Sequence, residues 1–167
     1  MVSYHIPLQV PNTAMIVTHD LVRPDDDVHY KDKIPVGRRF ARAALHLAYG
    51  RDIPYTGPIC REALVEGGHI RLLFDHLCGG LESRGGPLGG FCIAGADREW
   101  TWADARIDGD TVIVNSSQVA QPAAVRYAWS KYRCGANLFN KAGLPTPTFC
   151  TDTWPLTSRG KLVIEKD

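Results

Sequence analysis

Residues 100–115 read Trp-Thr-Trp-Ala-Asp-Ala-Arg-Ile-Asp-Gly-Asp-Thr-Val-Ile-Val-Asn. Two β-prone runs, Trp100–Ile107 and Thr111–Asn115, flank Asp108-Gly109, a dipeptide that accepts the positive φ angles of a tight hairpin turn. Working outward, Ile70–Asp75, Gly90–Ala94 and Ala124–Trp129 are further short apolar runs. Gly67-Gly68, Gly79-Gly80 and Gly85-Gly86 punctuate them. Short strands at this spacing predict an antiparallel β-sandwich of about 100 residues. From Asn137 onward the chain is rich in Pro and Gly, and this composition predicts coil running over the surface.

The first 50 residues have another pattern. Ala14–Thr18 (AMIVT) reads as a short, fully buried strand. A polar stretch, Arg23-Pro-Asp-Asp-Asp-Val-His29, follows it. The spacing then predicts a helix from about Pro35 to Tyr49, with Val36, Phe40, Ala44, Leu47 and Ala48 on its buried face and Arg38, Arg42 and His46 on the surface. Pro35 suits a first helical turn and Gly50 a stop. One strand and one helix cannot enclose a core, because a parallel α/β sheet needs several βα units to cover its strands. These residues therefore read like the last βα unit of a larger α/β domain, and the length like a truncation. The expected fold is an α/β remnant over residues 1–56 followed by an antiparallel β-sandwich over 57–167, mixed α+β with β dominant.

Composition narrows the function classes. The 167 residues carry 19 Lys+Arg against 18 Asp+Glu, a net charge of +1. That balance provides no basic face for nucleic acid. No stretch approaches the ~18 uncharged apolar residues of a membrane span, and the first residues lack the charged start and apolar run of a signal peptide. The five cysteines form no CxxC pair, so zinc is not indicated; at most two disulfides could form, and the simpler reading is buried free thiols acting as small apolar fillers. The histidines show no HExxH or comparable metal spacing. Gly85-Gly-Pro-Leu-Gly-Gly90 lacks the Lys-Ser/Thr of a phosphate loop and reads as a flexible hairpin. No cofactor is implied.

The densest chemical constellation is Asp25-Asp26-Asp27-Val28-His29, between the expected strand and helix. Catalytic groups of α/β folds lie at the carboxyl ends of strands. A His closely preceded by Asp there matches the end of a Ser-His-Asp arrangement, in which the carboxylate fixes the imidazole tautomer and the imidazole shuttles the serine proton. Asp-x-His also arises in solvated acidic loops, and spacing alone does not separate the two readings. Trp100, Trp102, Tyr127 and Trp129 suit stacking on sugar rings, yet at alternate strand positions such residues more often fill a sandwich core.

Pro11-Asn-Thr-Ala-Met-Ile-Val-Thr-His-Asp-Leu21, Asp27-Val-His29 and Val36-Gly-Arg-Arg-Phe-Ala41 together resemble the C-terminal part of sialate O-acetylesterases, SGNH-type serine esterases that remove acetyl groups from sugar hydroxyls. The second half is similar as well, through Gly90-Phe-Cys-Ile-Ala-Gly-Ala-Asp97, Ile107-Asp-Gly-Asp-Thr-Val112, Val125-Arg-Tyr-Ala-Trp129, Asn137-Leu-Phe-Asn140, Gly143-Leu-Pro145 and Thr151-Asp152. The resemblance implies that His29 is the catalytic histidine and Asp27 its carboxylate, with Asp26 the competing choice. It implies an O-acetylated carbohydrate as substrate. Members are often exported. Two departures stand out. Tyr30 replaces the proline that usually follows the histidine, and no serine here sits in a recognisable nucleophile block. The alternatives are a non-catalytic carbohydrate-binding sandwich and the C-terminal half of a split esterase. An uncovered βα unit also leads to an expectation of self-association.

Overall fold

The computed structural model describes residues 10–21, 32–129 and 135–155. Among the described residues the elements are one α-helix, α1 (Ile34–Leu47), and ten strands: β1 (Ile59–Glu66), β2 (His69–Asp75), β3 (Leu81–Ser83), β4 (Phe91–Ala94), β5 (Trp100–Trp102), β6 (Asp104–Asp108), β7 (Thr111–Asn115), β8 (Ala124–Tyr127), β9 (Leu138–Asn140) and β10 (Phe149–Cys150). The fold is mixed α+β with strands dominant, as expected.

Two four-stranded sheets, ordered β1-β2-β7-β6 and β10-β8-β4-β5, face each other, and β3 pairs with β9 at their margin. Every ladder is antiparallel. Alternation builds the core, because successive side chains of a strand point to opposite faces. Ile70, Leu72 and Phe74 of β2 and Val112 and Val114 of β7 meet Phe91 and Ile93 of β4 and Val125 and Tyr127 of β8. Each such side chain contributes about 1.5–3 kcal/mol when fully buried. Ile113 points the other way yet is also buried. It lies in register between Arg71 and Arg106, whose aliphatic stems can shield it.

Four expectations are corrected. The run Trp100–Ile107 is two strands, not one. Trp100–Trp102 pairs with β4 and Asp104–Asp108 pairs with β7. Ala103 is the crossing point, its N–H bonded to Phe91 O at 3.1 Å. The Asp108-Gly109 hairpin is present, with Gly109 at φ +59°.

The tail is not surface coil. Leu138, Phe139, Asn140, Leu144, Thr146, Phe149 and Cys150 are all buried. The Tyr127 hydroxyl accepts the Leu138 N–H at 2.9 Å. Asn140, fully buried, donates to Thr56 O (3.1 Å) and His76 O (2.8 Å) and accepts the Leu144 N–H (3.0 Å). Composition predicted coil because Gly and Pro punctuate this stretch. Hydrogen bonding to one amide and one phenol holds it inside instead.

The glycine-rich segment 85–90 is not a hairpin, since the strands on either side belong to different sheets. Asn137 closes it, donating to Pro87 O at 2.9 Å and accepting the Gly89 N–H at 3.0 Å.

Ala14–Thr18 forms no strand and pairs with no strand among the described residues. It is an irregular, half-buried segment that ends in a single 3-10 turn at His19–Leu21.

Candidate active site

Residues 22–31, with His29, Asp27 and Asp26, lie outside the described residues. What the structure does describe is the frame at their two ends. On one side Thr18 O accepts the Leu21 N–H at 3.0 Å, closing the 3-10 turn. On the other, Asp32 Oδ1 accepts the Ile34 N–H at 3.1 Å and supplies the hydrogen bond that an uncapped first turn lacks. Pro35 stands in that first turn, where its missing N–H costs nothing. At the far end Gly50 takes φ +62° while the Arg51 N–H reaches Leu45 O at 3.0 Å, a left-handed stop as predicted.

A buried clasp joins the two ends. Arg39 on α1 donates Nη1 and Nη2 to the two carboxylate oxygens of Asp20, at 2.7 and 2.6 Å, and also donates Nη1 to Val17 O. Both side chains are largely buried. A bidentate guanidinium–carboxylate pair restrains distance and angle together. The chain before residue 22 and the helix after residue 31 are therefore held in one fixed relation. Sequence reasoning missed Arg39. The available signal was a charged residue about 100° round the helix wheel from Phe40, with an aspartate two positions after the apolar run.

His19 sits beside this clasp. Its ring meets Tyr127 edge-on, with centroids 6.4 Å apart, and its Nε2 is buried without a hydrogen-bond partner among the described residues. Burial lowers its pKa below the usual imidazole value; the Asp20 carboxylate opposes that shift and the Arg39 guanidinium adds to it. A shallow cleft lies next to the clasp, lined by Met15, Ile16, Val17, Arg39, Tyr55 and Leu144 among others.

The face that α1 turns to the rest of the molecule also differs from expectation. Arg39 and Ala43 are its buried residues, whereas Phe40, Ala44 and Ala48 are exposed. His46 is not a free surface group: its ring stacks on Tyr55 at 4.1 Å and Nδ1 lies 3.1 Å from Arg51 O. Hydrophobic periodicity identifies an apolar stripe but not which stripe meets which partner. Here Arg39, Arg42 and His46, paired to Asp20, Tyr55 and backbone oxygens, share the inward side with buried Ala43 and with Val36 and Leu47, which are half-buried and in part meet the expectation.

The aromatic residues divide. Tyr127 is in the core, as its alternate position suggested. Trp102, Cys92 and Arg126 share one register across β5, β4 and β8, on the face turned away from the core. All four tryptophans of the chain gather there. Arg126 lies 4.1 Å over Trp100 and 5.1 Å from Trp129, and Trp154 packs on Trp100 at 5.7 Å. Asp152 accepts two hydrogen bonds from Arg126, at 2.8 and 2.9 Å. That pairing holds the guanidinium charged and pushes its pKa up. The tryptophans are thus not the core filling expected of them.

No family model matches the chain, and no curated protein matches it. Among solved structures it is similar to a carbohydrate acetylesterase from Xanthomonas citri, with 47% identity and a TM-score of 0.76. The match covers 81% of this chain and 31% of that protein, so this chain spans about a third of the length of the acetylesterase it matches.

Proposed function

We propose that this chain supplies the histidine-bearing part of a serine esterase that removes acetyl groups from sugar hydroxyls, of the sialate O-acetylesterase, SGNH type. Residues 1–56 would be the C-terminal βα portion of the α/β hydrolase domain and 57–167 its sandwich. The single observation behind this reading is the 47% identity to a carbohydrate acetylesterase. The Asp20–Arg39 clasp adds physical support. A general base must be held within hydrogen-bond reach of its nucleophile, and the clasp restrains both ends of the segment carrying Asp27 and His29.

In the proposed reaction a serine Oγ from outside the described residues attacks the acetyl carbonyl while His29 takes its proton. The tetrahedral intermediate collapses, the sugar oxygen leaves, and His29 returns the proton to it. Water then repeats the sequence on the acetyl-serine, with His29 as base, and acetate departs. Asp27, or Asp26 in its place, would hold the imidazole tautomer and stabilise the imidazolium. The test is acetate release from acetylated oligosaccharides by this chain combined with a serine-bearing α/β portion. His29→Ala should reduce turnover by at least ~10³-fold, since triad members act as a unit. Turnover unchanged in His29→Ala overturns the assignment, and comparing Asp26→Asn with Asp27→Asn identifies the carboxylate.

A second reading is favoured by one specific observation, the gathering of all four tryptophans on one outward face, with Trp102 61% exposed. Aromatic faces stack on the apolar faces of sugar rings, so the sandwich would bind carbohydrate without catalysis. Quenching of tryptophan fluorescence by an oligosaccharide, lost in Trp102→Ala, supports this; silence across a glycan panel rejects it.

A further inference from the structure

Cations and indoles alternate along the outward face of the β10-β8-β4-β5 sheet. Arg98 lies 5.5 Å over Trp154, Trp154 packs on Trp100 at 5.7 Å, and Arg126 reaches both Trp100 and Trp129, at 4.1 and 5.1 Å. Such rows form because a guanidinium is attracted to the negative face of a π-system. Two anchors fix this one. Asp152, its side chain 2% exposed, accepts two hydrogen bonds from Arg126 and the Trp154 backbone N–H at 3.1 Å. Arg98 is set by its backbone, at φ +66° with its N–H on Gly95 O (3.1 Å) in the turn between β4 and β5. That left-handed conformation is uncommon for a residue with a Cβ and recurs at ligand sites. Trp102 stands beside the row, separated from Arg126 in register by the short Cys92, and is exposed.

We propose that this face binds a soluble chain of neutral sugars, a proposal that rests on the carbohydrate-binding reading above. Charge selects the neutral class. Among the described residues the row and its flanks hold two guanidiniums, Arg98 and Arg126, against three carboxylates, Asp97, Glu99 and Asp152. Arg126 is already matched by Asp152, and Arg98 has an acidic neighbour on either side in the sequence. None of these cations is left over for the carboxylate of an acidic sugar, which meets net repulsion instead. Neutral hydroxyls accept from Arg98 and donate to Asp97 or Glu99, so they need no excess of either sign. Shape selects a single chain. The Trp100 and Trp154 rings are tilted 59° to one another, so they cannot both lie flat on a crystalline polysaccharide. A free chain twists, and can turn the C–H face of one sugar to each ring. Because the row is already fixed, little ordering is required on binding.

The test is calorimetric titration of the full 167-residue chain with cellohexaose, xylohexaose, mannohexaose and hexagalacturonate, alongside retention on microcrystalline cellulose. None of these probes carries an acetyl group, so the outcome is independent of the esterase reading. At least one neutral hexamer is expected to bind, and at least tenfold more tightly than hexagalacturonate at the same ionic strength. Trp102→Ala, at an exposed position, should weaken that binding at least tenfold with an unchanged urea midpoint, as loss of an aromatic anchor does. Glu99→Lys, which makes the flank basic, should narrow the gap to hexagalacturonate at least threefold. Silence of every hexamer and of cellulose overturns the proposal and the carbohydrate-binding reading together. So does hexamer binding that survives both Trp102→Ala and Trp154→Ala, since the sugar then sits elsewhere. Hexagalacturonate bound as tightly as the neutral hexamers overturns the proposal and leaves that reading standing, as does retention on cellulose with no hexamer bound. A gap that Glu99→Lys leaves unmoved rejects charge as the selector, and the neutral assignment falls with it.

Discussion

Arg39 and Asp20 are nineteen positions apart and form the best-paired buried charges next to the candidate site. Removing one partner of a buried pair leaves the other desolvated, at a cost of about 3 kcal/mol. Arg39→Ala is therefore expected to destabilise by about that amount in urea unfolding and to speed exchange at 17–21. Arg39→Lys should recover less than half, because an ammonium cannot serve both carboxylate oxygens and Val17 O with fork geometry. His19 sets a pH dependence whose sign follows from burial. Its pKa is lower folded than unfolded, so the unfolded chain binds the extra proton. The stability it contributes is present above the unfolded value, near 6.5, and is lost as pH falls through that value. His19→Phe should flatten the decline in stability between pH 7 and 5; an unchanged slope would show that another group is responsible. Asp20 was visible in the sequence beside His19, and Arg39 beside Arg38. That they meet was not visible, because pairing across nineteen residues depends on how the helix lies.

Among elements, the tail and the linker after α1 depend on each other. A Cβ on Gly57 would stand 2.0 Å from Pro145 O and 2.4 Å from Pro145 C. Backbone cannot yield as a flexible side chain does, so Gly57→Ala should cost at least ~2 kcal/mol, read as a lower urea midpoint with unchanged m-value. Asn140→Ala leaves Thr56 O, His76 O and the Leu144 N–H without their partner and is expected to cost about 3 kcal/mol. A loss below ~1 kcal/mol in either variant would mean the tail is not integral to the sandwich. The strands of both large sheets were legible where alternation was strong, as in Ile70–Asp75 and Thr111–Asn115. β1, β3, β9 and β10 were not. β1, eight residues long, carries a bulge between Cys60 and Glu62 that breaks its alternation. At two or three residues each, β3, β9 and β10 are too short to show a period, and they exist through pairing and through the Tyr127 and Asn140 hydrogen bonds.

At the scale of the whole molecule the sandwich and the helix differ in what supports them. β2, β4, β7 and β8 share one apolar core, whereas α1 is held mainly by polar contacts of Arg39, Arg42 and His46, with Ala43 its one buried apolar residue and Ile34, Phe40 and Leu45 exposed. Native-state exchange should therefore find amides of 34–47 opening at lower free energy than those of β7 and β8. Equal protection throughout would make the helix part of one cooperative unit. Cys60 marks the sandwich interior. Burial pushes its thiol up to about 12, so alkylating reagents should leave it intact at pH 8 until the sandwich unfolds.

The sequence by itself determined the strand-rich second half, the hairpin at Asp108-Gly109, the helix with its Pro start and Gly stop, and the Asp-His segment that suggests esterase chemistry. These rest on local causes: side-chain alternation, permitted φ angles and short-range spacing. Tertiary structure decided which face of α1 turns inward, that the Pro/Gly-rich tail enters the core, and that the tryptophans gather outside it. Those outcomes depend on partners far apart along the chain. A hydrophobic pattern states only that an apolar face needs a cover, while packing chooses the cover. For α1 the described residues cover its charged side through Asp20 and Tyr55, and its apolar side still faces water.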